Sequence, residues 1–188
     1  MLQTSKYHAT TTDLANELGI IERAKKDISK FAPLYDKYYE QIFRFIFQRL
    51  DDKEQAFDTT QQVFIKAMDH LHKYEFRGVP FASWLYRIAS TEMHNLFRAQ
   101  KIQRTVNIDS VNVYDLIEEL QENKIEHYHD KIVGIIANEL EEDDLQLIEM
   151  RFFEKRSFKE IGEILNITEN NAKVKTYRIL ERLKKNIK

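Results

Sequence analysis

Apolar residues recur at helical spacing through most of this chain, and the pattern predicts a succession of amphipathic helices. From Phe31 to Leu50 the positions Leu34, Tyr35, Tyr38, Ile42, Phe45, Ile46 and Leu50 share one face, and Pro33 sits in the first turn, where its missing N–H is harmless. Asp51 or Asp52 caps a second helix running to about Tyr74, with Ala56, Val63, Ala67 and Leu71 on its periodic face and Phe64 and Met68 beside it. Phe76, Arg77, Gly78, Val79 and Pro80 break the period and predict a loop. A third helix, from Phe81 to about Gln103, directs Trp84, Leu85, Ile88, Ala89 and Leu96 inward. Upstream of these, Asp13 is placed to cap a short helix in which Leu14, Leu18 and Ile21 share a face, although Gly19 weakens it. That segment carries no identifiable chemistry, and either docks on the next domain or a partner, or frays.

The pattern resumes near the C-terminus. Val133 to Leu140 can start a helix, and the acidic run Glu141 to Asp144 supplies negative charge and a cap to a helix beginning at Leu145, with Leu145, Ile148 and Phe152 facing inward. Ser157 with Glu160 forms a capping box that opens a short helix whose apolar face is Phe158, Ile161, Ile164 and Leu165. Leu165 to Thr168 make a turn in which Asn166 takes a left-handed conformation, and Thr168 caps the last helix. There Ala172, Thr176, Ile179, Leu180 and Leu183 form the inward stripe. Asn170, Asn171, Val174, Tyr177 and Arg178 project from the opposite face, flanked by Lys173 and Lys175. Amides suit adenine edges, Arg suits guanine and Val suits a thymine methyl, so this helix-turn-helix has the chemistry to read a major groove. An amphipathic hairpin with a solvated basic face has the same pattern.

Charge sharpens this picture. The formal net charge is only −2, but residues 109–144 hold 12 Asp and Glu against two Lys, while residues 145–188 hold 11 Lys and Arg against six acids. Residues 1–108 are mildly basic, with 16 against 13. A basic end, an acidic connector and a mildly basic front half describe a modular chain whose average charge conceals its binding surfaces. The expected fold is all-α: a three- to four-helix N-terminal domain and a C-terminal helix-turn-helix domain joined by an acidic linker. The expected boundaries are 1–28 for an extension, 29–104, 105–132 for the linker, and 133–188.

Candidate chemistry is confined to binding. The loop and third helix interleave Phe76, Phe81, Trp84 and Tyr86 with Arg77, Arg87, Arg98, Lys101 and Arg104, a mixture that stacks unpaired bases and neutralises phosphates. Read from composition alone, most of those aromatics belong to the core, Trp84 above all. Asp58, Gln61, Gln62 and Lys66 line the outer face of the second helix, facing solvent or a partner. His127 and His129 lack a nearby third ligand, so no metal site is expected, and no cofactor either. The chain has no cysteine, no Gly-rich phosphate loop and no nucleophile with an obvious base, which argues against an enzyme. With no long apolar run and no signal-peptide pattern, no membrane insertion is expected and the cytoplasm is the expected location.

With these residues laid out, the chain resembles the sigma-70 family of bacterial transcription initiation factors, in particular the small two-domain extracytoplasmic-function group. Ala56 to Phe64 is similar to the family's polymerase-docking helix, and FRGVPFASWLYRIASTEMHNLFR, ending at Arg98, is similar to its promoter-melting segment. The resemblance implies that Asp58, Gln61, Gln62, Phe64 and Lys66 bind the clamp coiled coil of core RNA polymerase. It implies that Phe76, Arg77, Phe81, Trp84, Tyr86, Arg87, Asn95, Arg98 and Lys101 receive the −10 element as single strand. Thr168, Asn170, Asn171, Lys173, Val174, Lys175, Tyr177 and Arg178 would read the −35 element as duplex, with the polymerase flap and an anti-sigma factor as further partners. The chain departs from the family pattern at Gln62, Thr91, Asn95, Asn166 and Thr176, and in the shorter basic run after Arg98. The rival reading is a conventional helix-turn-helix regulator with an N-terminal sensing or dimerisation domain, which accounts for the C-terminal half alone.

Overall fold

The computed structural model describes residues 10–50, 52–100 and 140–187, with Leu116 and Gly134. Every regular element among them is helical, and they fall into two compact units, so the fold is all-α with two domains.

The first unit contains α1 (Thr11–Lys26), α2 (Ala32–Leu50), α3 (Lys53–His70) and α4 (Phe81–Gln100), with single 3₁₀ turns at Ile28–Phe31 and Leu71–Lys73. Asp52 is the cap of α3, accepting from the Gln55 N–H at 3.0 Å. α3 packs against α2 on one side and α4 on the other. The apolar stripes meet in one core: Leu34, Ile42, Phe45 and Ile46 of α2, Val63, Phe64 and Ala67 of α3, and Phe81, Leu85, Tyr86 and Ala89 of α4 are buried. Burying each large side chain contributes about 1.5–3 kcal/mol. Geometry adds specificity, since Phe31 meets Phe64 and Phe81 edge-on and Phe45 meets Tyr86 edge-on at 4.6 Å.

α1 is a packed part of this unit. Its cap is Thr10, and Asp13 is the third residue of a capping box in which its carboxylate accepts from the Thr10 N–H at 2.9 Å and the Asp13 N–H donates to Thr10 Oγ1 at 3.2 Å. The Asp13 cap expected from sequence is thus displaced by three residues, because Thr10 supplies a hydroxyl one turn earlier. Glu17, Ile21 and Ala24 are buried, while Leu14 and Leu18 are half-buried.

The second unit contains α5 (Glu142–Ile148), α6 (Phe158–Leu165) and α7 (Glu169–Ile187). Here α5 begins before Leu145, so Glu142, Asp143 and Asp144 lie inside its first turn, where they favour the helix dipole, and the Glu141 side chain makes no capping bond. α5 then widens into one π-helical turn, Glu149–Phe153, which ends at Lys155 in a left-handed conformation (φ 54°). Leu145, Ile148 and Phe152 are buried as the period requires. The proposed helix start from Val133 to Leu140 lies outside the described residues except for Gly134 and Leu140.

Candidate nucleic-acid interface

The helix-turn-helix is held at both of its corners by hydrogen bonds. At the start of α6 the Glu160 carboxylate accepts from the Ser157 N–H at 3.0 Å, and the Glu160 N–H donates to Ser157 Oγ at 3.2 Å. The other Glu160 oxygen meets buried Arg156 at 3.2 Å, so one side chain caps the helix and neutralises a buried cation. Asn166 closes α6 with φ 55° and ψ 44°, and the Ile167 N–H donates to the Gly162 carbonyl at 2.9 Å. Gly162 is the residue that sequence reading passed over. A Cβ there would stand 2.8 Å from the Ile167 carbonyl oxygen and 3.2 Å from the Glu169 nitrogen, so the turn folds back only onto glycine. The available signal was a lone glycine inside a short helix, which is costly unless another segment approaches closely.

Beyond the turn, Thr168 Oγ1 accepts from the Asn171 N–H at 3.1 Å, which starts α7. Ala172, Thr176, Ile179, Leu180 and Leu183 are buried. Thr168, Asn170, Asn171, Lys173, Val174, Lys175, Tyr177 and Arg178 are all exposed, on one continuous outward surface. Tyr177 is 44% exposed yet backed by Phe158 at 6.3 Å between ring centres, and the Arg151 guanidinium lies 4.6 Å over the Phe158 ring. A ring supported from behind presents its edge without surrendering rotamer entropy on binding.

In the first unit the loop between the Leu71–Lys73 turn and α4 exposes Phe76 (40%) and Arg77, bends at Gly78 (φ 71°), and is anchored by buried Val79. Along α4, Trp84, Arg87, Thr91, Asn95 and Arg98 follow one stripe in which Trp84 and Arg87 are half-buried and the others exposed. Trp84 belongs partly to the core, with its ring centre 5.2 Å from that of Tyr74 and 5.3 Å from that of Phe81. Phe81 and Tyr86 are wholly buried, and Tyr86 Oη accepts from Gln41 Nε2 at 3.1 Å. Of the residues expected to touch the −10 strand, these two therefore support the surface from beneath, because their rings complete the α2–α4 core. Lys101 lies outside the described residues, as do His127 and His129.

The outer face of α3 shows the same division. Asp58 and Gln62 are exposed, and half-buried Gln61 donates from Nε2 to Tyr35 Oη at 3.3 Å. Phe64 is buried among Phe31, Tyr35 and Tyr39, so it is a core residue and not a contact. Lys66 is tied to Glu92 of α4 at 2.6 Å. Phe57 and Ile65, unassigned from sequence, are 49% and 43% exposed on this face. Beside them an open groove between α3 and α4 is acid-rich, with Asp52, Glu54, Asp58 and Glu92 on its walls. Among the described residues no group of three His, Asp or Glu could hold a metal ion, and no helix is long and apolar enough to cross a membrane.

Residues 34–102 match the family model of sigma-70 region 2, and residues 137–185 match that of sigma-70 region 4. Together the two matches cover more than half of the chain. The chain belongs to the sigma-70 family. Its relatives are of the extracytoplasmic-function kind: it is 28% identical over 164 residues to the ECF RNA polymerase sigma factor SigX of Bacillus subtilis, covering 84% of this chain and 83% of the relative. It is 23% identical over 177 residues to the ECF RNA polymerase sigma factor BldN of Streptomyces coelicolor, covering 93% of this chain and 67% of the relative. Among solved structures, CnrH in complex with the cytosolic domain of CnrY shares the fold, with a TM-score of 0.57 at 16% identity over 89% of this chain and 94% of that one. This sigma factor is a transcription initiation factor: it binds core RNA polymerase, directs it to promoters through their −35 and −10 elements, and promotes DNA melting. The region 2 match spans α3, α4 and all but the first two residues of α2, and the region 4 match spans α5, α6 and all but the last two residues of α7.

Proposed function

We propose that the sigma factor divides this task among three surfaces of named residues. The outward face of α7 enters the major groove at the −35 element, with Asn170, Asn171 and Arg178 reading base edges, Val174 and Tyr177 making apolar contact, and Thr168, Lys173 and Lys175 holding phosphates. The loop carrying Phe76 and Arg77, with Trp84, Arg87, Asn95 and Arg98 along α4, receives the −10 element as single strand. Stacking and charge at that surface offset the few kcal/mol needed to unstack a base, so opening needs no ATP. Asp58, Gln61 and Gln62, joined by Phe57 and Ile65, dock on the clamp coiled coil of the polymerase, where apolar side chains ringed by polar ones suit a protein interface.

The observation that carries this reading is the pairing of two chemistries in one chain: a helix face of amides and cations, and a loop of an exposed ring beside a cation. A sensing domain has no use for the second. The working boundaries are 29–104 for region 2, 105–132 for an acidic linker and 133–188 for region 4. The chain itself performs no catalytic step, and it acts in the cytoplasm, where polymerase and chromosome meet. An anti-sigma factor is a further partner, a reading supported by the structure of CnrH in complex with the cytosolic domain of CnrY. Run-off transcription with core polymerase on a panel of genomic promoter fragments tests the reading. A product whose yield collapses on changing either the −35 or the −10 sequence is expected, and yield indifferent to both would sink it.

A further inference from the structure

We infer that α1 is a splint for the −10 loop, and that Glu17 and Lys25 are positioning residues for promoter opening. This inference rests on the proposal that the loop receives the −10 strand. Glu17 lies in the upstream segment to which the region 2 match does not extend. Its carboxylate is only 5% exposed, and it is satisfied by donors from two other helices. Oε2 accepts from the backbone N–H of Phe81 at 2.7 Å; Oε1 accepts from the Tyr38 hydroxyl and from Lys37 Nζ, the latter at 2.8 Å. Phe81 is the first residue of α4, so its N–H has no partner within the helix.

Such an N–H is ordinarily capped by a side chain just upstream. No residue from Phe76 to Pro80 has a side chain that can accept: they are Phe, Arg, Gly, Val and Pro. The cap comes instead from Glu17, 64 residues earlier in the chain. At the other end of the loop, Lys25 of the same helix donates from Nζ to the Tyr74 carbonyl at 2.9 Å. One helix therefore holds both stems of the loop, at Tyr74 and at Phe81. Between the stems no loop side chain is consumed in capping α4, and Phe76 stays exposed. The same stems carry the Tyr74 and Phe81 rings, 5.1 Å apart, against which Trp84 rests, so a shift of either stem displaces the stacking surface. Pre-positioned contacts of this kind lower the cost of capturing a base at the moment it leaves the duplex.

The test uses the full chain assembled with core polymerase. Opening of a duplex promoter is followed by 2-aminopurine fluorescence in the −10 element, beside transcription from the same promoter supplied pre-melted. Loss of a hydrogen bond to a buried carboxylate should slow opening by Glu17→Ala about tenfold or more, while the pre-melted template changes by about twofold or less. Glu17→Gln keeps an acceptor for the Phe81 N–H and should restore most of the rate; Lys25→Ala should give a smaller loss of the same kind, about threefold. Equal losses on both templates for Glu17→Ala and Lys25→Ala would mean a merely structural role, and unchanged opening in both would equally overturn the splint. Phe76→Ala and Arg77→Ala separate the two levels. If they abolish opening while the α1 variants do not, the splint fails and the loop assignment stands; if they too leave opening intact, the loop assignment fails and takes the splint with it.

Discussion

α7 and the loop ahead of α4 carry related chemistry, cations and aromatic rings with amides added on α7, on very different supports. The α7 surface is made by a single helix whose buried stripe, Ala172 to Leu183, automatically turns the other side outward. The loop has no such period. Its conformation depends on Val79 beneath it, on Tyr74 and Phe81 at its ends, and on Glu17 and Lys25 of a helix about fifty residues or more upstream in sequence. A surface that one helix builds for itself tolerates changes elsewhere, whereas a surface assembled from several elements fails when any of them moves.

The largest expected effect breaks the second surface from below. Phe81→Ala removes a ring wholly buried against Phe31, Tyr38, Tyr74 and Trp84, and should destabilise the first unit by about 3–5 kcal/mol. Phe76→Ala, a few residues away on the exposed loop, should leave stability within about 0.5 kcal/mol while slowing promoter opening. Urea unfolding followed by Trp84 fluorescence measures both. If the two variants shift the midpoint alike, core and contact are not separated as the structure has them.

Next in size is the corner of the helix-turn-helix. Gly162→Ala places a methyl 2.8 Å from the Ile167 carbonyl and should cost about 1–3 kcal/mol, because backbone must move to admit it. Amide hydrogen exchange on the full chain should then speed up through α6 and the first turns of α7 but not in α2 to α4. Unchanged exchange in α6 would show that the turn relaxes freely.

Much of this was legible beforehand, and the division is physical. The inward and outward faces of α7, the Ser157–Glu160 box and left-handed Asn166 follow from period and local chemistry, and they stand as read. Contacts between residues far apart in sequence leave no periodic trace, which is why the segment that holds Glu17 shows no identifiable chemistry in the sequence. Phe64, Phe81 and Tyr86 are buried where the sequence suggests contacts, because the residue types that stack on bases are also those that fill cores. α5 begins early because three acids that look like a cap are equally stable inside a first turn.

On α7 itself, the comparison predicts separable roles at neighbouring positions. Arg178→Ala should reduce discrimination at one base pair of the −35 element by about 1–3 kcal/mol. Lys173→Ala should weaken all duplexes alike and reduce the salt slope of binding by about one. Titrations of polymerase holoenzyme against matched and single-mismatch −35 duplexes at several salt concentrations distinguish these. Equal losses on matched and mismatched sites for Arg178→Ala would make it a phosphate contact.

The smallest effect concerns the start of α1, where Asp13 stands one turn before Glu17. The Asp13 carboxylate is held below its ordinary value of 3.8 chiefly by the hydrogen bond from the Thr10 hydroxyl, then by the Thr10 N–H. A carboxyl whose folded value is depressed contributes its cap in full above the unfolded value and loses it as pH falls through the folded one. The capping box should therefore persist at neutral and mildly acidic pH and dissolve only below the usual aspartate range. Asp13 is exposed, so solvent screens the interaction and the global midpoint should barely change. Carbon-13 NMR of the Asp13 carboxyl reports its titration directly: a midpoint below 3.8 is expected, and one at or above 3.8 would mean that the box does not form in solution. In that case α1 would reach Glu17 with a frayed start, and its hold on the loop would rest chiefly on the Lys25 bond to Tyr74, with buried Ile21 and Ala24 keeping the helix docked.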